Sequence, residues 1–257
     1  MRRVLTALLL IPVVVYVVIW AKWWVFLAVL VAACCLSYRE YNQIATAYGF
    51  GAPGPLGYGV GLLLLFAERE PWTWLLLTLA ALVALVVAMR APELEKSLPR
   101  AALLLFGIVY VFGCWKCALP LRERNPHWLM YGLLVNWAGD MGAYYIGRGF
   151  GKRKLAERIS PQKTWEGAIG SLAASLLIAG AYLIHFIPEA GVAPAIGLTL
   201  ATNAAGQLGD LAESAFKRGA GVKDSGAILP GHGGFLDRVD STLFALPVIY
   251  AYIRLSI

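Results

Sequence analysis

Residues 72–89, WTWLLLTLAALVALVVAM, run for eighteen positions without a charged side chain. A helix crosses the roughly 30 Å hydrocarbon core of a bilayer in about 20 residues, so a stretch of this length reads as a membrane span. The rest of the chain repeats the pattern. Of its 257 residues 60% are apolar and 14% charged, against about 45–50% and 25% in soluble domains. Candidate spans lie at 4–20, 23–38, 56–66, 72–89, 101–119, 128–147, 167–187, 192–210 and 241–254, of which 56–66 and 241–254 are short. No alternation of polar and apolar residues suggests a barrel, and in lipid a helix satisfies its own backbone groups. The expected fold is all-α: a polytopic integral membrane protein of about nine transmembrane helices. The start, MRRVLTALLLIPVVVYVVIW, has the basic-then-apolar order of a signal peptide. No small-x-small cleavage site follows it, so it reads as an uncleaved first span.

Lys and Arg placement sets the orientation. The N-terminus and loops 38–55, 90–100, 148–166 and 213–240 hold 16 basic residues, and the other side holds 6. This split puts the N-terminus in the cytoplasm and the C-terminus outside; the expected location is the cell's inner (plasma) membrane. Part of the net charge of +7 is this topology rule, and attraction to anionic membrane lipids adds a second reason for it. No nucleic-acid partner is expected. Cys114 and Cys117 have a C-x-x-C spacing with no second pair, so they read as structural thiols. Gly147-Arg-Gly-Phe-Gly151-Lys152 misses the Walker spacing and reads as a flexible basic exit from a span. The many Trp and Tyr near span ends read as interfacial anchors.

Against this background the acids stand out. Asp140 falls within span 128–147 and Asp210 at the end of span 192–210, and acids there are costly and usually functional. Residues 214–241, SAFKRGAGVKDSGAILPGHGGFLDRVDS, interleave Asp224, Asp237 and Asp240 with Lys217, Arg218, Lys223 and Arg238. Asp237 and Asp240, three apart, share a helix face, and oxygen-only carboxylate sets beside phosphates suit Mg²⁺. PGHGG offers a tight turn whose N–H groups could approach an anion. In SPQKTWEG, Ser160 would cap a helix with Pro161 at its first position, which places Lys163 in the first turn, where helix N–H groups favour an anion. The plainer readings are a solvated charged loop, an ordinary helix start and acids paired structurally with Lys or Arg.

The run Ser214-x-x-Lys217-Arg218-x4-Lys223-Asp224-x5-Pro230-Gly-His232-Gly-Gly-x2-Asp237-Arg238-x-Asp240 resembles the signature of the phosphatidate cytidylyltransferase (CDP-diacylglycerol synthase) family. Asp140-x2-Ala-Tyr-x2-Gly147-Arg148 and Ser160-Pro-x-Lys163-Thr-x-Glu166-Gly167 also resemble it, and the likeness covers roughly 130–241. It divides the chain into N-terminal transmembrane helices, 1–127, and a C-terminal catalytic region, 128–257, with cytoplasmic loops 148–166 and 213–240. It implies transfer of a cytidylyl group from CTP to phosphatidate, a divalent metal (usually Mg²⁺) and a homodimer in the membrane. It places the metal on Asp210 and Asp237, where spacing alone favours Asp237 with Asp240; Asp240 and Asp224 are alternate ligands. Asp210, Asp237, Lys217 and Arg238 form the expected catalytic set. Arg148, Lys163, Ser214, Lys217, Arg218, Lys223, His232, Gly233, Gly234 and Arg238 are the expected substrate contacts, with Asp140 a further candidate. The alternatives are a CTP-dependent enzyme acting on another lipid phosphate or a polyprenol, and a cation-coupled transporter.

Overall fold

Capping residues decide where the helices start. In a computed structural model the described residues are 2–51, 54–67, 70–91, 93–228 and 233–256, with side chains omitted for 2–9 and 70. The helical segments among them are α1 (Arg2–Ile19), α2 (Trp23–Ala47), α3 (Pro55–Phe66), α4 (Glu70–Ala88), α5 (Leu94–Arg124), α6 (Pro126–Phe150), α7 (Trp165–Phe186), α8 (Val192–Gly219) and α9 (Leu236–Ser256). α5 contains a π segment at Ile108–Gly113, and α7 one at Leu176–Gly180. Asn125 caps α6, accepting from His127 N at 3.0 Å, and Pro126 takes the first turn, where its missing N–H costs nothing.

Among the described residues four helical stretches are long and apolar enough to cross a membrane: Trp23–Ala47, Pro71–Ala88, Leu94–Arg124 and Trp165–Phe186. Leu10–Ile19 and Pro55–Phe66 are shorter apolar helices. Many large apolar side chains are exposed, among them Trp20, Leu82, Val86, Leu177 and Leu208, while Glu40, Asn136, Ser171, Ser175, Asn203 and Glu213 are buried. An apolar exterior over a partly polar interior is the arrangement of a protein whose solvent is lipid. The protein is an integral membrane protein.

The chain forms two compact units. The first comprises residues 1–3, 23–116 and 216–237. Its core clusters Leu64, Ala84, Ala88, Ala101, Leu104 and Ile108. An aromatic group of Tyr41, Phe106, Tyr110 and Phe216 holds the start of the 216–237 segment, with edge-on contacts of Phe216 to Phe106 and Tyr110. The second unit comprises residues 4–22, 117–215 and 238–257. In it Arg122, buried, donates to the carbonyls of Val18 and Ala21 and so satisfies the end of α1. α6 and α7 pack against each other at backbone distance: a Cβ on Gly142 would stand 2.3 Å from the Gly170 carbonyl oxygen.

Two local expectations are corrected. Ser160 does not cap a helix. Ser160–Thr164 is a strand, β2, paired antiparallel with β1 (Lys154–Ala156) through Lys154↔Thr164 and Ala156↔Ser160. α7 starts five residues later than Ser160, at Trp165, because the Thr164 side chain accepts from Gly167 N at 3.1 Å. Lys163 therefore lies on a strand, outside the first turn. Pro161 fits there because an edge strand need not use its N–H. The segment 147–151 is also no flexible exit: α6 stays helical to Phe150.

Likewise the charged segment at 213–240 is helical at both ends. α8 continues to Gly219 and closes with a Schellman motif, in which Val222 N bonds Lys217 O at 2.9 Å and Gly221 N bonds Arg218 O at 3.1 Å. Gly221 takes φ +72°, which that motif demands. Lys217 and Arg218 occupy the last turn, where cations complement the helix dipole.

Candidate active site

In the second unit α6, β2, α7, α8 and the start of α9 line a cavity of about 480 Å³. α6 contributes Asn136, Asp140, Tyr144 and Arg148 at successive turns of one face; β2 adds Ser160 and Lys163; α8 adds Asn203, Gln207 and Asp210. Lys163 Nζ lies 2.6 Å from Asp210 Oδ2, with both side chains partly accessible. Ser214 Oγ approaches the other oxygen of Asp210 at 3.5 Å. Arg148, exposed, donates to the Tyr144 hydroxyl at 2.7 Å. Deeper in, Asn203 Nδ2 donates to Ser171 Oγ (2.9 Å) and Ser175 Oγ (2.8 Å), and Gln207 Nε2 donates to Asn203 Oδ1 (2.6 Å). This amide–hydroxyl ladder satisfies buried polar groups and holds α7 against α8. Gly139 and Gly206 let these polar side chains pack closely on the helix backbones: a Cβ at Gly139 would stand 2.7 Å from Asn203 Nδ2, and at Gly206 2.4 Å from Asn136 Oδ1.

Four carboxylates of this unit, Asp140, Asp210, Glu213 and Asp240, act electrostatically on one another, and Lys163 and Arg238 act on Asp140 as counter-charges. Glu213 is fully buried and Asp240 nearly so. No group of three or more His, Cys, Asp or Glu poised around one point is found among the described residues. The donor set is nonetheless oxygen-only and carries more negative than positive charge, which suits a hard divalent cation such as Mg²⁺. Asp210 and Asp140 face the cavity and are the accessible members of the set.

In the first unit the segment 216–237 builds a second charged constellation. Lys217 Nζ donates to Asp237 Oδ1, in an ion pair whose side chains are only 10% and 7% exposed. Asp237 also accepts from Gly234 N at 2.8 Å and Ser225 N at 3.1 Å. Burial alone would raise the Asp237 pKa; the Lys217 ammonium and the Gly234 and Ser225 N–H groups outweigh it and hold the carboxyl below the usual range. Both Asp237 oxygens thus already accept hydrogen bonds from the protein itself. Of the PGHGG stretch, the described Gly234 N donates to a carboxylate of the protein itself, Asp237.

Asp224, Lys223 and Arg218 are exposed in the first unit, as is Arg238 in the second; Gly233 and Gly234 lie beside Asp237. His232 lies outside the described residues. One residue escaped sequence reasoning. Glu40 on α2, fully buried, accepts from Ser225 Oγ (2.8 Å), Phe235 N (2.9 Å) and Leu236 N (2.7 Å). Its only sequence signal was an acid less than one turn beyond an apolar span, in SYREYN.

Apolar helices that carry a charged, accessible cavity define an integral-membrane enzyme handling a charged substrate. The sequence profile of the "Cytidylyltransferase family" matches residues 1–256. A Staphylococcus aureus (strain COL) protein named phosphatidate cytidylyltransferase is 40% identical over 195 residues, covering 74% of this chain and 75% of its own length. Proteins of the same name are 39% identical over 195 residues in Staphylococcus saprophyticus (74% and 75%) and 45% identical over 149 residues in Haemophilus influenzae (54% and 51%). The chain belongs to the cytidylyltransferase family.

Proposed function

We propose that the protein transfers a cytidylyl group from CTP to phosphatidate, giving CDP-diacylglycerol and pyrophosphate in phospholipid biosynthesis. The observation that carries this reading is the cavity of the second unit, whose wall combines Lys163 and Arg148 with Asp140 and Asp210. The names of the relatives supply the substrates.

The phosphatidate phosphate is already an anionic nucleophile. An oxygen of it bonds to the α-phosphorus of CTP as the bond from that phosphorus to the oxygen bridging to the β-phosphate breaks. The oxygen and its electron pair leave with pyrophosphate. Such a reaction needs positioning and charge neutralisation more than proton transfer. Lys163 and Arg148 hold phosphate oxygens at the cavity, and Lys217, Arg218, Lys223 and Arg238 bind the triphosphate and the lipid phosphate. Asp210 and Asp237 are the ligands the signature implies for Mg²⁺, with Asp240 and Asp224 as alternates and Asp140 a further carboxylate beside Asp210. Mg²⁺, when bound, neutralises the triphosphate and the departing pyrophosphate. Ser214, His232, Gly233 and Gly234 complete the proposed contacts. The enzyme works as a nine-span homodimer of the plasma membrane with its site toward the cytoplasm, so CTP arrives from water while acyl chains stay in lipid.

The test is a lipid-acceptor series with purified protein, CTP and Mg²⁺. Phosphatidate should be used at least tenfold faster than a polyprenyl phosphate or an ether-lipid phosphate of other stereochemistry. Preference for either rival would reassign the substrate. Wild-type turnover by Asp210→Asn or Asp237→Asn would remove the metal assignment.

A further inference from the structure

We infer that Glu40 is a positioning residue: from α2 it fixes the turn that presents the Asp237 carboxylate. The inference rests on the functional reading of Asp237 given above. Glu40 Oε1 accepts from Phe235 N, and Oε2 accepts from Leu236 N and Ser225 Oγ. Phe235 and Leu236 carry the first N–H groups of α9, so a carboxylate from 195 residues away in the chain occupies the place of a helix cap. Ser225 links the two acids directly, since its hydroxyl donates to Glu40 and its N–H to Asp237.

Nothing else would fit there. A Cβ on Gly226 would stand 2.5 Å from Glu40 Oε1, and one on Gly234 would stand 2.4 Å from Glu40 Oε2. Two glycines of the charged segment are therefore explained by the close approach of this carboxylate. A second anchor on the same helix region reinforces it: Tyr48 donates to Phe216 O at 2.9 Å and leaves no room for a side chain at Gly219. α2 and Tyr48 just beyond it thus hold both the helical start and the terminal turn of the segment. Glutamine cannot replace Glu40, because its NH₂ group would face an N–H or hydroxyl donor. Aspartate keeps the charge with a shorter reach.

The experiment compares wild-type protein with Glu40→Gln, Glu40→Asp, Ser225→Ala and Asp237→Asn, purified in detergent at full length. Hydrogen exchange is read on peptides containing Ser225, Phe235 and Leu236, and KM and kcat are measured separately for CTP with Mg²⁺ and for phosphatidate. Glu40→Gln should speed exchange of those amides by about tenfold or more, as expected for lost hydrogen bonds to a buried charge. Exchange in α6 and α7 should stay as in wild type. Its KM for CTP should rise or its kcat fall by about tenfold, with KM for phosphatidate within about twofold, and Glu40→Asp should recover part of both. Ser225→Ala, which removes one bond only, should move the same readouts less. Unchanged local exchange in Glu40→Gln and Ser225→Ala would overturn the inference. So would uniform loosening of the whole chain in both, or local loosening with unaltered kinetics while Asp237→Asn is inactive. If Asp237→Asn keeps wild-type turnover, the functional reading of Asp237 fails, and the exchange data still decide whether Glu40 holds the turn.

Discussion

The Lys163–Asp210 pair shows how much a single side chain carries. Its 2.6 Å separation places a cation and an acid at one wall of the cavity. Losing a fixed cation that stabilises developing phosphate charge costs about 10²–10³-fold in rate in comparable sites. Lys163→Ala should therefore lower kcat/KM about a hundredfold in a steady-state assay, and Lys163→Arg much less. Asp237 allows a pH prediction. Its carboxyl titrates below the usual range, so its contribution to stability is fully present above the unfolded value of about 3.9 and is lost as pH falls through the lower folded value. The turn at Ser225 and Gly234 should thus keep its exchange protection at pH 5 and lose it progressively below about pH 4. Asp237→Asn should be loose at both. Sequence reading singled out Lys163 and Asp237 because charges in oily surroundings are conspicuous, though it set Lys163 in a helix turn and the structure sets it on a strand. It missed Glu40 because nothing local shows that a remote N–H turn will fold over it.

The helices were legible from apolar length, but their ends, which capping side chains set, were not. Asn125 caps α6, and the expected start at Ser160-Pro161 gives way to the Thr164–Gly167 bond once the hairpin pairs Lys154 with Thr164. Helix contact was not legible, because glycines in a span do not say which neighbour they admit. Gly142 admits α7, and a methyl group there would meet the Gly170 carbonyl and Ala174 Cβ at 2.3 and 2.6 Å. Gly142→Ala should cost about 1–3 kcal/mol by overpacking, seen as a lower melting temperature in detergent. Gly197→Ala, with no atom within 4 Å of the added methyl, should leave it unchanged or slightly raised.

For the whole molecule, composition alone identified a membrane protein, and four helices of sufficient length and apolarity among the described residues agree. The nine-span topology with a cytoplasmic N-terminus can be checked by labelling single cysteines in a cysteine-free background. Arg124→Cys should react with an impermeant maleimide on intact cells, and Arg158→Cys only after permeabilisation; the reverse pattern would invert the topology. Which residues line the cavity was not legible from spacing, since it draws on residues from Asn136 to Ser241. The measurement that bears most directly on the function is the product balance of purified protein given CTP, phosphatidate and Mg²⁺. Equal amounts of CDP-diacylglycerol and pyrophosphate, matched by CTP consumed and abolished in Lys163→Ala with Asp210→Asn, are expected. Intact CTP, with labelled cation moving across protein-containing vesicles instead, would contradict the enzyme assignment and favour a transporter.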